Sequence, residues 1–282
     1  MTSITFVGVG AIGLPMATQL VRAGHTVTGV DPMPVAVERG AAAGIPIVPT
    51  VTEAPRTDIV IAMVATPDQL DTLVTQAGAG VRGQTWVIMS TVGPESATAQ
   101  ADRLIAAGAR VADAPVTGGV ARATTGELVI FLSGEHSTCE TVLPVLESFG
   151  TVRTVGSRVG DGQSVKVVNQ HLCSVHIVAA AEALSLAAAL GLDPAEVLDL
   201  IGGGAAGSWM LADRGPRMLH NDPAATSTIN IFVKDSGLVA SAAAQAGIDV
   251  PLLDVAQQRY AQAAAAGLGQ SDDSQVIQTY RR

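Results

Sequence analysis

Cysteine is nearly absent from this chain. The two thiols, Cys139 and Cys173, lie far apart and form no CxxC pair, which excludes a disulfide framework and a zinc-binding cysteine cluster and suits a reduced cytoplasmic setting. Clustered positive charge is absent too: 16 Lys and Arg stand against 25 Asp and Glu, a net charge of -9, with no basic run. A nucleic-acid partner needs the opposite balance, because its affinity rests on cations that neutralise phosphates. No basic start leads into a cleavable apolar segment; Met1-Thr2-Ser3 runs straight into a strand, so secretion is not expected. Residues 172–192 are apolar, but Ser174, His176, Glu182 and Ser185 interrupt them. A charge in mid-span is costly in lipid, so a buried helix is expected there and no membrane partner. Aromatics are few (four Phe, two Trp, two Tyr), so the 48% of hydrophobic residues is mostly Ala, Val, Leu and Ile. That composition suits a globular chain of helices and parallel strands, and 282 residues suffice for two domains.

What is present begins with Ile4-Thr5-Phe6-Val7, a buried strand, followed at once by Gly8-Val9-Gly10-Ala11-Ile12-Gly13 and a helix to about residue 23. GxGxxG alone is a weak signal, but between a strand and a helix it has a mechanism. Gly8 permits a tight turn, Gly10 lets backbone approach a pyrophosphate, and Gly13 lets the helix pack close to the strand. Ala11 and Ile12 lie at the helix start, where free N–H groups favour an anion. A second strand over 26–30 ends at Asp31. Its carboxylate can accept from both ribose hydroxyls and repels a 2′-phosphate, so NAD is expected rather than NADP. A plain Asp31-Pro32 turn is the alternative. Strands at 58–64, 86–89, 110–113 and 128–132 follow. Their carboxyl ends direct Val64 with Ala65, Ser90 with Thr91, and Asp113 toward the crevice that holds Gly8 and Asp31. The expected fold is α/β: a Rossmann-type doubly wound parallel sheet over 1–160, then an all-α C-terminal domain over 161–282 for substrate and oligomerisation, beginning with a long interdomain helix.

After Asp113 comes Ala114-Pro115-Val116-Thr117-Gly118-Gly119, a hydroxyl and two glycines whose N–H groups can serve an anion, although turn chemistry explains the glycines equally. Past Gly162 strand signals vanish. Read as helix at about 100° per residue, 163–190 puts Lys166, Asn169, Gln170 and Cys173 on one face, with Val165, Val168, Leu172 and Val175 opposite as expected core. The projection fits a solvated lysine as well as a catalytic one. Asp193-Pro194 opens another helix, and helical segments follow near 208–219, 229–246 and 251–266. His171 and His176 share the long helix but sit about 140° apart, so they do not converge on a metal.

With these residues in place, the chain resembles the β-hydroxyacid dehydrogenases, the family of 3-hydroxyisobutyrate dehydrogenase, tartronate semialdehyde reductase and 6-phosphogluconate dehydrogenase. The resemblance spans nearly the whole length. It rests on the Gly8 to Ala17 loop, on 113–119, on Gly160-Asp161-Gly162 through Lys166 and Asn169, and on Phe232-Val233-Lys234-Asp235. Ser208-Trp209-Met210 and the run from Ile229 to Asp235 look most like the L-threonate dehydrogenase branch. The resemblance implies hydride transfer between NAD and a small hydroxyacid, with Lys166 as general acid/base. A free lysine titrates near about 10.4, so such a base must be lowered by its surroundings. It also implies Asn169 as an orienting group, Thr117, Gly118, Gly119, Gln170 and Trp209 around the substrate, Lys234 beside the nicotinamide, and a homodimer or homotetramer. Two departures stand out: Thr117 replaces the usual Ser, and Gln170 follows Asn169 where many members have Asn, which leaves open which amide meets the substrate. An NADP(H)-dependent semialdehyde reductase, an imine reductase and a non-catalytic NAD sensor are the alternatives. Lys166 argues against the last two.

Overall fold

A computed structural model describes residues 1–221 and 223–280. The chain forms two compact units that divide between Lys166 and Val167. The first carries β1 (Ser3–Val7), α1 (Gly13–Arg22), β2 (Thr26–Val30), α2 (Pro34–Ala42), β3 (Ile47–Val48), β4 (Ile59–Ala62), α3 (Pro67–Ala77), β5 (Thr85–Ile88), α4 (Pro94–Ala106), β6 (Arg110–Asp113), β7 (Val116–Thr117), α5 (Gly119–Thr125), β8 (Leu128–Gly134), α6 (His136–Leu146) and β9 (Gly150–Gly156). The sheet order is β3-β2-β1-β4-β5-β6-β8-β7, with β9 also on β8. From β3 to β6 all neighbours are parallel. β8 turns the sheet over: it is antiparallel to β6 and β7. The parallel part reproduces the doubly wound Rossmann order expected from the strand, glycine turn and helix at the N-terminus.

Alternate strand residues feed two cores, which is why the strands read as continuous apolar runs. Ile4, Phe6, Ile59, Ile61 and Val87 pack on one side with Met16 and Leu20 of α1. Val7, Val60, Ala62, Trp86 and Ile88 pack on the other with Leu70 and Leu73 of α3 and Leu104 of α4. Because β1, β2, β4, β5 and β6 run the same way, their carboxyl ends share one edge of the sheet.

α7 (Asp161–Ala189) leaves the first unit and becomes the spine of the second. That unit adds α8 (Pro194–Gly202), α9 (Trp209–Met218), α10 (Ile229–Ala246), α11 (Pro251–Ala263) and a closing 3-10 helix over Asp273–Tyr280. Asp193 caps α8 by accepting from the Ala195 N–H, and Ser208 caps α9 through the Leu211 N–H, each supplying an acceptor to a helix start. The Phe232 and Tyr260 rings stack at 5.2 Å, and the Tyr260 hydroxyl donates to the Ser174 carbonyl. Arg214 reaches both carboxylate oxygens of fully buried Asp273, tying α9 to the end of the described chain. By length and composition α7 can span a membrane. Its buried glutamines are nevertheless bonded to carboxylates inside the protein, as in the core helix of a globular domain.

One expectation reverses. Val168 is 64% exposed, Leu172 50% and Val165 36%, whereas Lys166 is 6% exposed and Gln170 7%. Val165, Val168 and Leu172 of the expected core stripe face outward, Val175 packs partly buried against the helical core as expected, and the polar stripe faces inward. Periodicity separates the two faces of a helix, but which face is covered depends on the partners offered to it. Here the polar face finds hydrogen-bonding partners, and burial follows them.

Candidate active site

The nucleotide loop is built to bring backbone close to a ligand. Gly8 has φ +90, and a Cβ there would lie 2.3 Å from the Met63 carbonyl oxygen. The Gly8 N–H donates to the Val30 carbonyl, which holds the turn against β2. A Cβ at Gly13 would lie 1.8 Å from the Gly8 oxygen, so only glycine lets α1 start this near β1. At Gly10 a Cβ would meet nothing within 4 Å, leaving open space of the kind a pyrophosphate needs. The N–H groups of Gly10, Ala11 and Ile12 donate to no carbonyl among the described residues. At the end of β2, Asp31 is held by the Val9 N–H at 3.1 Å and the Met33 N–H at 3.0 Å. Each oxygen has spent one hydrogen bond and keeps capacity for more. These residues fit a dinucleotide: an anion cradle, an open backbone and a ribose acceptor. The Val64 N–H donates to Ser90 Oγ, joining the ends of β4 and β5 on the same edge.

A second loop leaves β7. Thr117 is half-buried and pairs with Val129 in β8. Gly118 (φ +135) and Gly119 (φ +68) then turn the chain into α5, and their N–H groups donate to no backbone carbonyl among the described residues. A hydroxyl and two unspent N–H groups side by side suit a carboxylate.

The start of α7 is pinned to the sheet by a carboxylate. Asp113, at the end of β6 and fully buried, accepts from the Gly160 N–H (3.2 Å), the Gln163 N–H (2.8 Å), Gln163 Nε2 (2.9 Å) and Ser133 Oγ (3.4 Å). Gln163, also fully buried, donates through Nε2 to the Ser90 carbonyl at 2.8 Å and accepts at Oε1 from the Val92 and Gly93 N–H groups, both at 3.1 Å. The loop after β5, which contains Thr91, and the first turn of the helix that carries Lys166 are thus one hydrogen-bonded piece.

Further along α7, within the helical unit, Asn169 Nδ2 donates to Gln170 Oε1 at 2.8 Å and to Cys173 Sγ at 3.3 Å. Gln170 Nε2 donates at 2.5 Å to Oδ2 of Asp235, which is 3% exposed. The other oxygen of Asp235 pairs with Lys234 Nζ at 2.8 Å. The structure therefore gathers Asn169, Gln170 and Lys234 around Asp235. Trp209, the first residue of α9, is 47% exposed, and the Arg214 guanidinium stands 5.9 Å from its ring centroid. Among the described residues no cluster of three His, Cys, Asp or Glu side chains is placed to hold a metal.

The profile described as the NAD binding domain of 6-phosphogluconate dehydrogenase matches residues 3–160. That described as NAD-binding of NADP-dependent 3-hydroxyisobutyrate dehydrogenase matches residues 160–280. The chain is 36% identical over 286 residues to L-threonate dehydrogenase of Cupriavidus necator, covering 99% of this chain and 96% of that one. It is 34% identical over 279 residues to 2-hydroxy-3-oxopropionate reductase of Escherichia coli, with 97% and 95% covered. The chain belongs to the β-hydroxyacid dehydrogenase family. The crystal structure of 3-hydroxyisobutyrate dehydrogenase from Salmonella typhimurium superposes with a TM-score of 0.92 at 31% identity, over 99% of this chain and 100% of that one. This β-hydroxyacid dehydrogenase acts on the hydroxyl group of a small hydroxyacid with a nicotinamide cofactor.

Three polar residues of the dehydrogenase carry no role in the sequence reading: Gln163, Ser133 and Asp235. Gln163 leaves a faint trace, since glutamine in the first turn of a helix is a capping residue type. Asp235 enters there only as the end of the Phe232-Val233-Lys234-Asp235 run, and Ser133 leaves no trace. Asp113 is legible only as a strand end, yet its environment is the most unusual in the sheet. Burial pushes its pKa from 3.8 up to about 6, against the opposing pull of the hydrogen bonds from Gln163, Gly160 and Ser133. A carboxyl that holds its proton more tightly when folded adds stability below its unfolded pKa, and that share is lost as pH rises through about 6. Compared with Asp113→Asn, which lacks the titration, the native enzyme should lose on the order of 3 kcal/mol of unfolding free energy between about pH 4 and pH 7. Denaturant unfolding across that range measures the difference; parallel pH profiles for the two proteins contradict it.

Proposed function

We propose that this dehydrogenase oxidises the secondary hydroxyl of a small sugar acid of the L-threonate kind, using NAD, with Lys166 as general acid/base. The observation that carries the reading is a lysine only 6% exposed on the inward face of α7, one turn before an asparagine whose N–H groups are already spent. When bound, the oxidised nicotinamide supplies the acceptor for the hydride leaving the hydroxyl carbon. Lys166 takes the hydroxyl proton during oxidation and returns it during reduction. Thr117 Oγ1 and the N–H groups of Gly118 and Gly119 hold the substrate carboxylate. Lys234, fixed by Asp235, carries positive charge on the nicotinamide side, and the Trp209 ring borders the substrate chain. Val64, Ala65 and Thr91 line the cofactor from the strand ends. The substrate class is supported by the L-threonate dehydrogenases among the relatives and by the Ser208-Trp209-Met210 and Ile229 to Asp235 runs.

Cofactor choice rests on Asp31. One matched profile is described from an NADP-dependent enzyme, but a carboxylate fixed by two N–H groups repels a 2′-phosphate, and no cation follows it until Arg39. For the assembly we favour a homodimer or homotetramer in the cytoplasm. Support comes from the helical unit, where Val168 (64%), Leu172 (50%), Leu252 (65%) and Val255 (50%) expose apolar surface of the kind subunit interfaces bury.

In a screen of L-threonate, D-erythronate, 3-hydroxyisobutyrate, glycerate and tartronate semialdehyde, Lys166→Ala should cut kcat on the best substrate by at least about 100-fold while NAD still binds. A loss under about tenfold removes the general-base role. NAD should exceed NADP in kcat/KM, and Asp31→Ser should narrow that ratio; preference for NADP in the native enzyme contradicts the role given to Asp31. Light scattering on the eluting protein should give two or four chain masses, and a monomer at working concentration rules the assembly out.

A further inference from the structure

We infer that Asp235 is a positioning residue that fixes the polarity of the amide pair on α7, so that Asn169 presents its carbonyl oxygen, and not its NH2, to the reacting groups. This rests on the role proposed for Lys166 and Asn169 in the dehydrogenase reaction.

An ionised carboxylate only accepts. The side-chain nitrogen of Gln170 must therefore face Asp235 Oδ2, where the 2.5 Å separation lies. Gln170 then turns Oε1 toward its neighbour, and Asn169 answers with Nδ2 at 2.8 Å. The second N–H of Asn169 goes to Cys173 Sγ at 3.3 Å. Both N–H bonds of Asn169 are consumed, and Oδ1 is the part left to act. An acceptor beside a general base can receive a hydrogen bond from a lysine ammonium or from a substrate hydroxyl; an exposed NH2 can do neither. Lys234 Nζ stands 2.8 Å from Asp235 Oδ1 as an ion pair, which places a cation on the other side of the carboxylate. A neutral amide at position 235 removes that constraint, because it can offer either end to Gln170.

The relay runs backwards when both ends are exchanged. In the double variant that joins Asp235→Asn to Asn169→Asp, the new amide nitrogen at position 235 donates to Gln170 Oε1. Gln170 Nε2 then donates to the carboxylate now at position 169, and the new amide oxygen at 235 faces Lys234. Cys173, which loses the N–H of Asn169, can turn its S–H to the new carboxylate, and position 169 again presents an acceptor. In Asn169→Asp alone, the new carboxylate meets Gln170 Oε1, acceptor against acceptor.

The test is this double-mutant cycle, with native enzyme and Lys166→Ala assayed beside it on the best hydroxyacid and NAD. Asn169→Asp should lower kcat by about tenfold or more, and adding Asp235→Asn should restore about tenfold of it. The four proteins of the cycle are also followed by thermal unfolding, where Asn169→Asp should lower Tm by roughly 2–4 °C and the double variant should regain most of it. Losses that multiply in kcat and add in Tm overturn the relay, since a merely structural Asp235 gives no rescue of a change at 169. If the native enzyme oxidises nothing in the panel, or Lys166→Ala keeps full turnover, the functional reading fails by itself, and the Tm cycle still decides the relay.

Discussion

A buried carboxylate at the end of β6 is the constraint on which the start of α7 depends. Asp113 gives up hydration and is compensated by four donors, three of them from the 160–163 turn. The balance is close, as the rise of its pKa to about 6 indicates. Two consequences follow. The first N–H groups of α7 obtain the acceptor that a helix start requires. The helix also acquires a fixed origin on the sheet, so that Lys166, three residues past Gln163, inherits its position from β6 rather than from a loop. The general-base role proposed for Lys166 requires placement to a fraction of an ångström, and a rigid element with a buried anchor provides that.

The same device recurs further along α7. In the first unit Asp113 orients Gln163; in the second Asp235 orients Gln170. Two glutamines, seven residues apart and so nearly on one side of the helix, each turn their nitrogen to a carboxylate and their oxygen to another donor. Lys166 stands between them in sequence. Buried amides are costly unless every atom is paired, and pairing with a carboxylate removes the freedom to flip. The polar face of α7 is therefore buried because its orientation is determined at both ends. Val165, Val168 and Leu172 of the opposite face find no such partner among the described residues.

The parts of the site that were legible in the sequence are those whose chemistry is local. Gly8, Gly10 and Gly13 declare a turn, an approach and a close packing within six residues, and Asp31 closes the next strand. Lys166, Asn169, Gln170 and Cys173 share a face because the helix repeat places them there. The direction of that face was not legible, since it is decided by partners at a distance. Asp113 and Gln163 are 50 positions apart, and Gln170 and Asp235 are 65 apart. No pattern in a single chain links such pairs before the fold exists. In the sheet, β1, β2, β4, β5, β6 and β8 were readable while β3, β7 and β9 were not: the first two are two-residue runs too short to show alternation, and β9 is a largely unburied stretch of Gly, Thr, Val and Arg with no apolar run.

The departure from the family at position 170 becomes intelligible in these terms. A side chain there must reach Asp235 with its nitrogen while its oxygen stays within 2.8 Å of Asn169. Glutamine has one more methylene than asparagine, and that length lets one amide serve both neighbours. An asparagine at the same place falls short of one or the other unless α10 moves toward α7, and Phe232 stacked on Tyr260 fixes α10 against the core. Side-chain length at 170 and the carboxylate at 235 thus belong to a single requirement, the direction in which Asn169 faces.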